Sequence, residues 1–440
     1  MTRVLTSCPP PSPEEPHGWR AVAGNSLWLL LEKTARWTLG LTVGVWTARY
    51  LGPADFGLFN AALAWVALFG CAAGFGIEPI VVRELVRRPA ERATILATAF
   101  GLRLAGGALA AALAILVAAL WSAVSPPLAL IAIASLATLF AVGEVFDLWF
   151  QAHLQARVAA LARTSAFALA CLGRVALIAL HAPVAAFLWL AVTEAALASV
   201  ALAAVFLRAD RPGTTRFSPS LARELLHESW PNLVGNLASM GYLRADRVML
   251  AALADDATAG RYSAAATLIE VWYVFPLAVV NSATPFLTRL HDTDPARYLR
   301  ELARLARLHA VVAWTLAGVL AAAAPWLIPA IYGPAYSTAS VTLQLLAFSL
   351  PFAFLGVAGF PWYLNTRLTR VAMRRHLLGG ALNLALNALF IPRWGAPGAA
   401  AATGIALAIA HVLANALDAR TRPLLNLQLR ALALLPTRSP

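Results

Sequence analysis

One stretch of this chain resembles a second stretch further along, and this repeat decides the fold. The first copy is Ala54-Asp55-Phe56-Gly57-Leu58-Phe59-Asn60-Ala61-Ala62, and the second is Ala257-Thr258-Ala259-Gly260-Arg261-Tyr262-Ser263-Ala264-Ala265. Further along the same two hydrophobic segments, Pro79-x-x-x-Arg83 is matched by Pro285-x-x-x-Arg289. The two matches are 203 and 206 residues apart and run in the same direction. They predict two parallel halves of a duplicated membrane protein, with matched proline bends beside a central cavity.

Composition supports the membrane assignment. The 440 residues are 60% hydrophobic and 12% charged, and the mean hydropathy is +0.71. A soluble domain carries about 25% charged residues, so a soluble globular protein is excluded. A membrane helix needs about 20 apolar residues. Twelve segments meet that length, six in each half, and they are predicted at 24–46, 58–82, 95–121, 127–149, 160–181, 184–207, 230–251, 262–287, 309–331, 339–363, 371–391 and 396–418.

The positive charges alternate between the connections. One set of connections, with both termini, holds 25 of the 34 lysines and arginines, the other set holds 3, and 6 lie inside hydrophobic segments. This is the positive-inside pattern, so both termini are expected in the cytoplasm. The net charge of +13 is spread over helix flanks without a basic domain, which argues for anionic lipid contact and against a nucleic-acid partner.

These patterns predict an all-α polytopic protein with two six-helix bundles around a central cavity. A proline-rich cytoplasmic tail of 1–20 is expected to be disordered, followed by a first bundle of 21–207 and a cytoplasmic linker of 208–229. The second bundle is expected at 230–418, with a cytoplasmic tail of 419–440. Leucines alternate with arginines at helical spacing in 295–308, which predicts an amphipathic helix on the inner surface.

Two helices that begin the two halves carry polar stripes. The predicted cavity lining is Asn25, Glu32, Asn232, Asn236 and Asp246. Charges inside a bilayer usually face a bundle interior or a wet cavity, and arginine forks fit phosphate oxygens. The residues predicted to bind an anionic substrate such as a pyrophosphate in this cavity are Arg36, Lys33, Arg244, Arg247, Arg174 and Arg103. Alternatively, Glu32 and Arg36 neutralise each other, and Asp246 neutralises a neighbouring arginine.

Other intramembrane polar residues have less specific roles. Glu194 and Glu270 are candidates for carrying a coupled proton or ion, whereas Glu78, Glu144 and Asp147 are expected to pair or to reach the cytoplasmic surface. Asn383 and Asn387 are expected to form hydrogen bonds between helices. The sequence shows no metal-ligand spacing, no cofactor motif and no nucleophile constellation, so neither a metal, a cofactor nor an enzyme activity is predicted.

The run from Asn25 to Gly57 contains Glu32-Lys33-x-x-Arg36 and Ala48-Arg49-Tyr50-Leu51-Gly52-Pro53-Ala54-Asp55-Phe56-Gly57. It resembles the opening of bacterial polysaccharide (O-antigen, Wzx-type) flippases of the multidrug/oligosaccharidyl-lipid/polysaccharide exporter superfamily. Arg244-Ala245-Asp246-Arg247 and Asn383-x-x-x-Asn387 are similar to later features of that family. The resemblance implies that an undecaprenyl-pyrophosphate-linked glycan is moved from the cytoplasmic to the periplasmic leaflet by alternating access, and other polysaccharide-assembly proteins are possible partners.

Three other functions are alternatives to a polysaccharide flippase. A drug or cation exporter of the same superfamily would need an excess of acidic cavity residues. A lipid II flippase of the superfamily commonly has fourteen spans. A membrane polysaccharide polymerase or glycosyltransferase would be expected to have a long outer loop with catalytic residues, and no predicted outer connection exceeds about a dozen residues.

Overall fold

A computed structural model describes residues 19–121, 126–153, 155–210 and 216–435, with no strand among them. Side chains before residue 36 are not described. The first half contains α1 (Trp19–Ala73), α2 (Glu78–Arg87), α3 (Arg92–Leu120), α4 (Leu128–Phe140), α5 (Glu144–Ala152), α6 (Ala156–Ala179) and α7 (Val184–Ala209). The second half contains α8 (Pro219–Leu253), α9 (Asp256–Glu270), α10 (Val274–Thr293), α11 (Pro295–Tyr332), α12 (Ala339–Ala347), α13 (Leu350–Ala358), α14 (Phe360–Asn365), α15 (Thr369–His411) and α16 (Arg422–Leu432).

The all-α membrane fold is confirmed. Within the described residues, nine stretches are long and apolar enough to cross a membrane. Two of them, Thr38–Arg87 and Arg370–Ala416, contain helices that are joined across a glycine kink. The count of twelve spans stays a prediction, because α8, which contains six charged residues, is outside the nine. Large apolar side chains such as Leu180 and Trp326 are exposed on the outside of the bundle, as lipid contact requires.

Three glycines with positive φ mark one end of the molecule, which we call the glycine end. Gly52 has φ 70° and ψ 173°, and Gly333 has φ 94° and ψ 168°. Gly395, with φ 57°, breaks α15. The conformations of Gly52 and Gly333 belong to a region that only glycine enters readily, and each is followed by a proline that cannot continue the preceding helix. These residues therefore reverse the chain sharply between consecutive helices.

The repeated stretch forms a reciprocal contact between the two halves. A Cβ on Gly57 would lie 1.7 Å from the Asp256 carbonyl oxygen, and a Cβ on Gly260 would lie 1.9 Å from the Pro53 carbonyl oxygen. Each residue of the pair is 203 positions from its counterpart, so the contact obeys the sequence repeat. The two helices therefore cross with backbone against backbone at the glycine end, which is possible only because both positions are glycine.

Further bonds tie the halves together at the glycine end. Arg49 donates from Nε to the Ile331 carbonyl at 2.6 Å and from Nη2 to the Ala330 carbonyl. These carbonyls end α11 and have no partner within the helix, so the guanidinium caps it and complements its dipole. Tyr336 donates its hydroxyl to the Ala48 carbonyl at 2.8 Å.

The opposite end, which carries most of the arginines, is joined through α8. The first residues of α8, including Leu221 and Leu225, pack into the core of the first half, while Leu250 near its end packs into the core of the second. Arg83 binds both carboxylate oxygens of Glu228, and Arg88 donates to Glu224 at 2.9 Å. The α8 helix thus crosses from one half to the other.

The structure adds detail to three predicted segments. The segment 295–308 is helical with Leu302 and Leu305 buried, but it continues without a break into the ninth span as α11, so it is not a separate surface helix. The predicted linker 208–229 is already helical from Pro219. Within the predicted tail 419–440, α16 packs with Leu424 and Ala431 buried. The predicted tail of 1–20 lies almost entirely outside the described residues.

Candidate functional site

A cavity of about 340 Å³ lies between the first half and α8. Its wall combines charged, amide and sulfur-containing side chains, among them Cys71, Glu78, Arg103, Glu144, Asn236 and Met240. The first four come from α1, α2, α3 and α5, and the last two from α8. The cavity is therefore lined by both halves, in the place where the sequence predicts a central polar space.

Arg103 is the buried centre of the cavity wall. Its Nη2 donates to Glu78 Oε1 at 2.5 Å, and its Nη1 donates to Glu144 Oε2 at 2.6 Å and to the Ala141 carbonyl at 3.0 Å. The Arg103 side chain is 6% exposed, whereas Glu78 is 34% and Glu144 60% exposed. With two carboxylates around one guanidinium, this trio has a net charge of −1 when all three groups are ionised.

A neighbouring cavity of about 540 Å³ shares Glu78, Arg103 and Glu144 and extends towards the arginine-rich end. Its wall includes Asp147, which accepts from Arg163 at 2.6 Å and from Gln151 at 3.0 Å. Glu78, Glu144 and Asp147 are thus paired with arginines, as the sequence predicts. The two cavities therefore lie on either side of the same three charged side chains.

A second charged cluster lies in the first half. Arg174 donates to Glu194 at 2.9 Å, with 18% and 23% of the two side chains exposed. Arg36 lies over the Phe167 ring, 5.0 Å from its centroid, and its charge acts on Glu194. Arg36, Arg174 and Glu194 thus bring α1, α6 and α7 together.

The second half contains a cluster of the same composition. Arg247 is 4% exposed and donates to Glu270 at 2.7 Å, and Arg244 lies close enough to interact electrostatically with both. Glu194 and Glu270, the predicted coupling residues, therefore each form an ion pair, and their coupling role stays a prediction.

Asp246 lies inside the second half, 4% exposed, and not on the cavity wall. It accepts from Tyr262, from Thr403 Oγ1 at 2.7 Å and from Asn387 Nδ2 at 2.5 Å. Asn387 in turn donates to Asn383 at 3.1 Å. The two asparagines connect helices as predicted, and Asp246 is held by these neutral donors while Arg247 pairs with Glu270. This network fastens α8, α9 and α15 together.

The other predicted lining residues have mixed positions. Asn236 lines the cavity, and Asn232 donates to the Gly76 carbonyl at 3.2 Å across the two halves. Asn25, Glu32 and Lys33 lie in the helical part of α1 whose side chains are outside the described set. Arg103 lies in the cavity wall but is buried behind carboxylates. The wall therefore presents acidic groups to the cavity, where the sequence predicts basic ones. Sequence reasoning missed that Glu78 and Glu144 face this space, although both are visible as acidic residues within spans.

Ionisation outside the membrane is set by the links at the arginine-rich end. The hydrogen bond from Arg83 holds the pKa of Glu228 below its usual range. In the connection after the last span, Arg420 lowers the pKa of Asp418 to about 2 through hydrogen bonds from its side chain and backbone. These carboxylates are charged at neutral pH.

A family model described as "Polysaccharide biosynthesis protein" matches residues 22–291, more than half of the chain. The chain belongs to this family. The resemblance to polysaccharide flippases of the exporter superfamily is thereby confirmed at the level of the family. No curated protein matches the sequence.

Solved structures share the fold at low sequence identity. The lipid II flippase MurJ in an inward closed conformation has a TM-score of 0.71 and 15% identity, covering 92% of this chain and 91% of that one. An inward-facing multidrug resistance MATE family transporter of the MOP superfamily has a TM-score of 0.67 and 14% identity, covering 91% and 95%. An outward-facing multidrug resistance MATE family transporter of the MOP superfamily has a TM-score of 0.62 and 14% identity, covering 94% of this chain and 96% of that one.

Proposed function

We propose that this protein is a flippase that moves an undecaprenyl-pyrophosphate-linked glycan across the bacterial inner membrane, from the cytoplasmic to the periplasmic leaflet. The observation that carries the proposal is the polar cavity between two halves of a membrane protein of the polysaccharide biosynthesis family. A polar headgroup needs such a space because the hydrocarbon core cannot solvate it. Both termini face the cytoplasm in this proposal, as the charge pattern indicates.

The two arginine-rich clusters support a pyrophosphate substrate. In the first half Arg36 and Arg174 lie beside Glu194, and in the second half Arg244 lies beside the buried pair of Arg247 and Glu270. Guanidinium groups bind phosphate oxygens in a fork geometry and keep their charge. The polyprenyl tail stays in lipid while the headgroup crosses, and alternate opening of the two ends completes the cycle. No covalent step is required.

The test is leaflet translocation of a labelled polyprenyl-pyrophosphate oligosaccharide in proteoliposomes. Wild type is compared with Arg36→Ala, and with Arg247→Gln/Glu270→Gln, which removes both charges of a buried pair without leaving one uncompensated. Arg304→Ala is the matched control, because Arg304 is 69% exposed and pairs with Glu301 in the same helix.

We expect transport by wild type and by the control, and loss of most transport in the two test variants. Active test variants would retain the flippase but move the pyrophosphate contact elsewhere. A wild type that moves no lipid-linked glycan at all would contradict the proposed function.

One observation favours a second candidate, export of a cationic small molecule. The two neighbouring cavities are lined by Glu78, Glu144 and Asp147 and by Arg103 and Arg163, so carboxylates exceed guanidinium groups. Efflux of a fluorescent cation from proteoliposomes, measured beside glycan translocation, separates the two candidates. We expect translocation without efflux.

A further inference from the structure

The cavity between the halves presents carboxylates, and not guanidinium groups, to a ligand. Glu144 and Glu78 expose 60% and 34% of their side chains, while the Arg103 that holds them exposes 6%. Two of the Arg103 nitrogens are bonded to three oxygens on the protein side. The guanidinium therefore positions the carboxylates and has few donors left for an incoming group.

The backbone is shaped to allow this arrangement. A Cβ on Gly74 would lie 2.4 Å from Glu78 Oε1 and 3.1 Å from Arg103 Nη2, so any larger residue there would displace the trio. Among the described side chains of α8, the cavity wall includes the neutral amide of Asn236, beside the Met240 thioether. Carboxylates and amides are acceptors for hydroxyl groups, and the volume of about 340 Å³ falls within the usual range of small-molecule sites, about 300–1,000 Å³.

The net charge decides which sugars fit. An anionic group brought against two exposed carboxylates meets repulsion that a membrane interior screens poorly. A hydroxyl or an ammonium group meets none. The pyrophosphate of the substrate therefore belongs at the arginine-rich clusters and not in this cavity.

We infer that this cavity receives the sugar part of the substrate, and that Glu78 and Glu144 exclude anionic sugars from it. The substrate class is then a lipid-linked glycan whose sugar at this position is neutral or carries an amino group. This inference rests on the proposed flippase function, and it assigns the selectivity to two named carboxylates.

Cys71 gives a direct test, because it lines the same cavity. In a Cys8→Ser/Cys171→Ser background it is the only thiol of the chain. The measurement is its rate of reaction with cationic trimethylammonioethyl methanethiosulfonate and with anionic sulfonatoethyl methanethiosulfonate, each normalised to a free thiol. We expect the cationic reagent to be favoured and Glu144→Gln to reduce that preference about three- to tenfold. In this variant Arg103 retains its ion pair with Glu78.

Glu224→Gln is the matched control, since Glu224 is 48% exposed, pairs with Arg88 and lies outside the cavity wall. It should leave the preference unchanged. Equal rates for the two reagents in the Cys71-only protein, or no response to Glu144→Gln, would overturn the inference. Labelling needs no transport, so this result stands whether or not the flippase function is correct.

A second arm uses two synthetic polyprenyl-pyrophosphate disaccharides that differ only in one sugar, glucose or glucuronic acid. We expect wild type to translocate the glucose form several-fold faster and Glu144→Gln to narrow the difference. Equal transport of the two by wild type would refute the selectivity while leaving the flippase intact. Transport of neither, with normal labelling preference, would contradict the flippase and retain the acidic cavity.

Discussion

The reciprocal glycine contact makes a sharp prediction for Gly57→Ala. The added methyl carbon would lie 1.7 Å from the Asp256 carbonyl oxygen, less than 3.0 Å, below which real Cβ contacts are essentially absent. The two helices would have to separate by more than an ångström at the glycine end. Overpacking of this kind costs about 1–3 kcal/mol. Because about 1.4 kcal/mol corresponds to a tenfold change in an equilibrium constant, the closed contact should be weakened about 5- to 150-fold.

The local conformation separates this effect from helix propensity. Gly57 lies in a helix without a positive φ, so alanine fits its backbone and by itself should stabilise the helix by up to about 1 kcal/mol. Gly318 in α11 is the matched control, because a Cβ there meets nothing within 4 Å. Any loosening in Gly57→Ala beyond Gly318→Ala therefore comes from the contact between the halves.

The assay is hydrogen–deuterium exchange in nanodiscs, followed in peptides covering residues 48–57 and 330–340. We expect faster exchange in Gly57→Ala and in Gly260→Ala, and wild-type exchange or slower in Gly318→Ala. The destabilisation of the contact in the double variant should be smaller than the sum of the destabilisations in the two single variants, since both substitutions act on one contact. Exchange in Gly57→Ala equal to that of the control would refute the reasoning.

Three other predictions follow from single sites. Gly52→Ala places a side chain at φ 70° and ψ 173° and should lower the free energy of unfolding by about 1–3 kcal/mol, seen as a lower thermal midpoint; an unchanged midpoint would argue against the strain. Asp246→Ala removes the acceptor of the buried Tyr262 hydroxyl and of one Asn387 N–H and should be destabilising, whereas Asp246→Asn keeps part of the network and should cost less; equal costs would contradict the network. The folded-state pKa of Glu228 is lowered, so the stabilisation from the Arg83–Glu228 link should be complete above the unfolded pKa of glutamate, about 4.3, and be lost as the pH falls through the folded-state pKa. Glu228→Gln should remove this pH dependence of hydrogen exchange in residues 219–228. A variant with the wild-type pH profile would count against the link.

Several features of the fold could be predicted because they depend on local or periodic properties. Long apolar segments predict spans, since backbone groups in lipid must be satisfied within a helix. The amphipathic spacing of 295–308 predicts a helix, but periodicity could not reveal that it continues into α11, because nothing between the two segments breaks the helix.

The site was predicted less completely, because pairing depends on which helices are neighbours. Arg103 stands alone in its span in the sequence, and Glu78 and Glu144 lie 25 and 41 residues away. Only packing brings the three together and buries the arginine behind the carboxylates. In the same way, Asp246 and Arg247 are adjacent in sequence, yet helical geometry sends one to neutral donors in α9 and α15 and the other to Glu270.

The sequence by itself determined the class of the protein: a hydrophobic chain with alternating positive charge, duplicated at an offset of 203 residues, with glycines where the two copies meet. These properties follow from the composition, the order of the residues and the repeat, so no coordinates are needed to see them. The tertiary structure alone decided which charges meet. The energy of a charge in the membrane interior depends on partners a few ångströms away, and those partners come from distant parts of the chain.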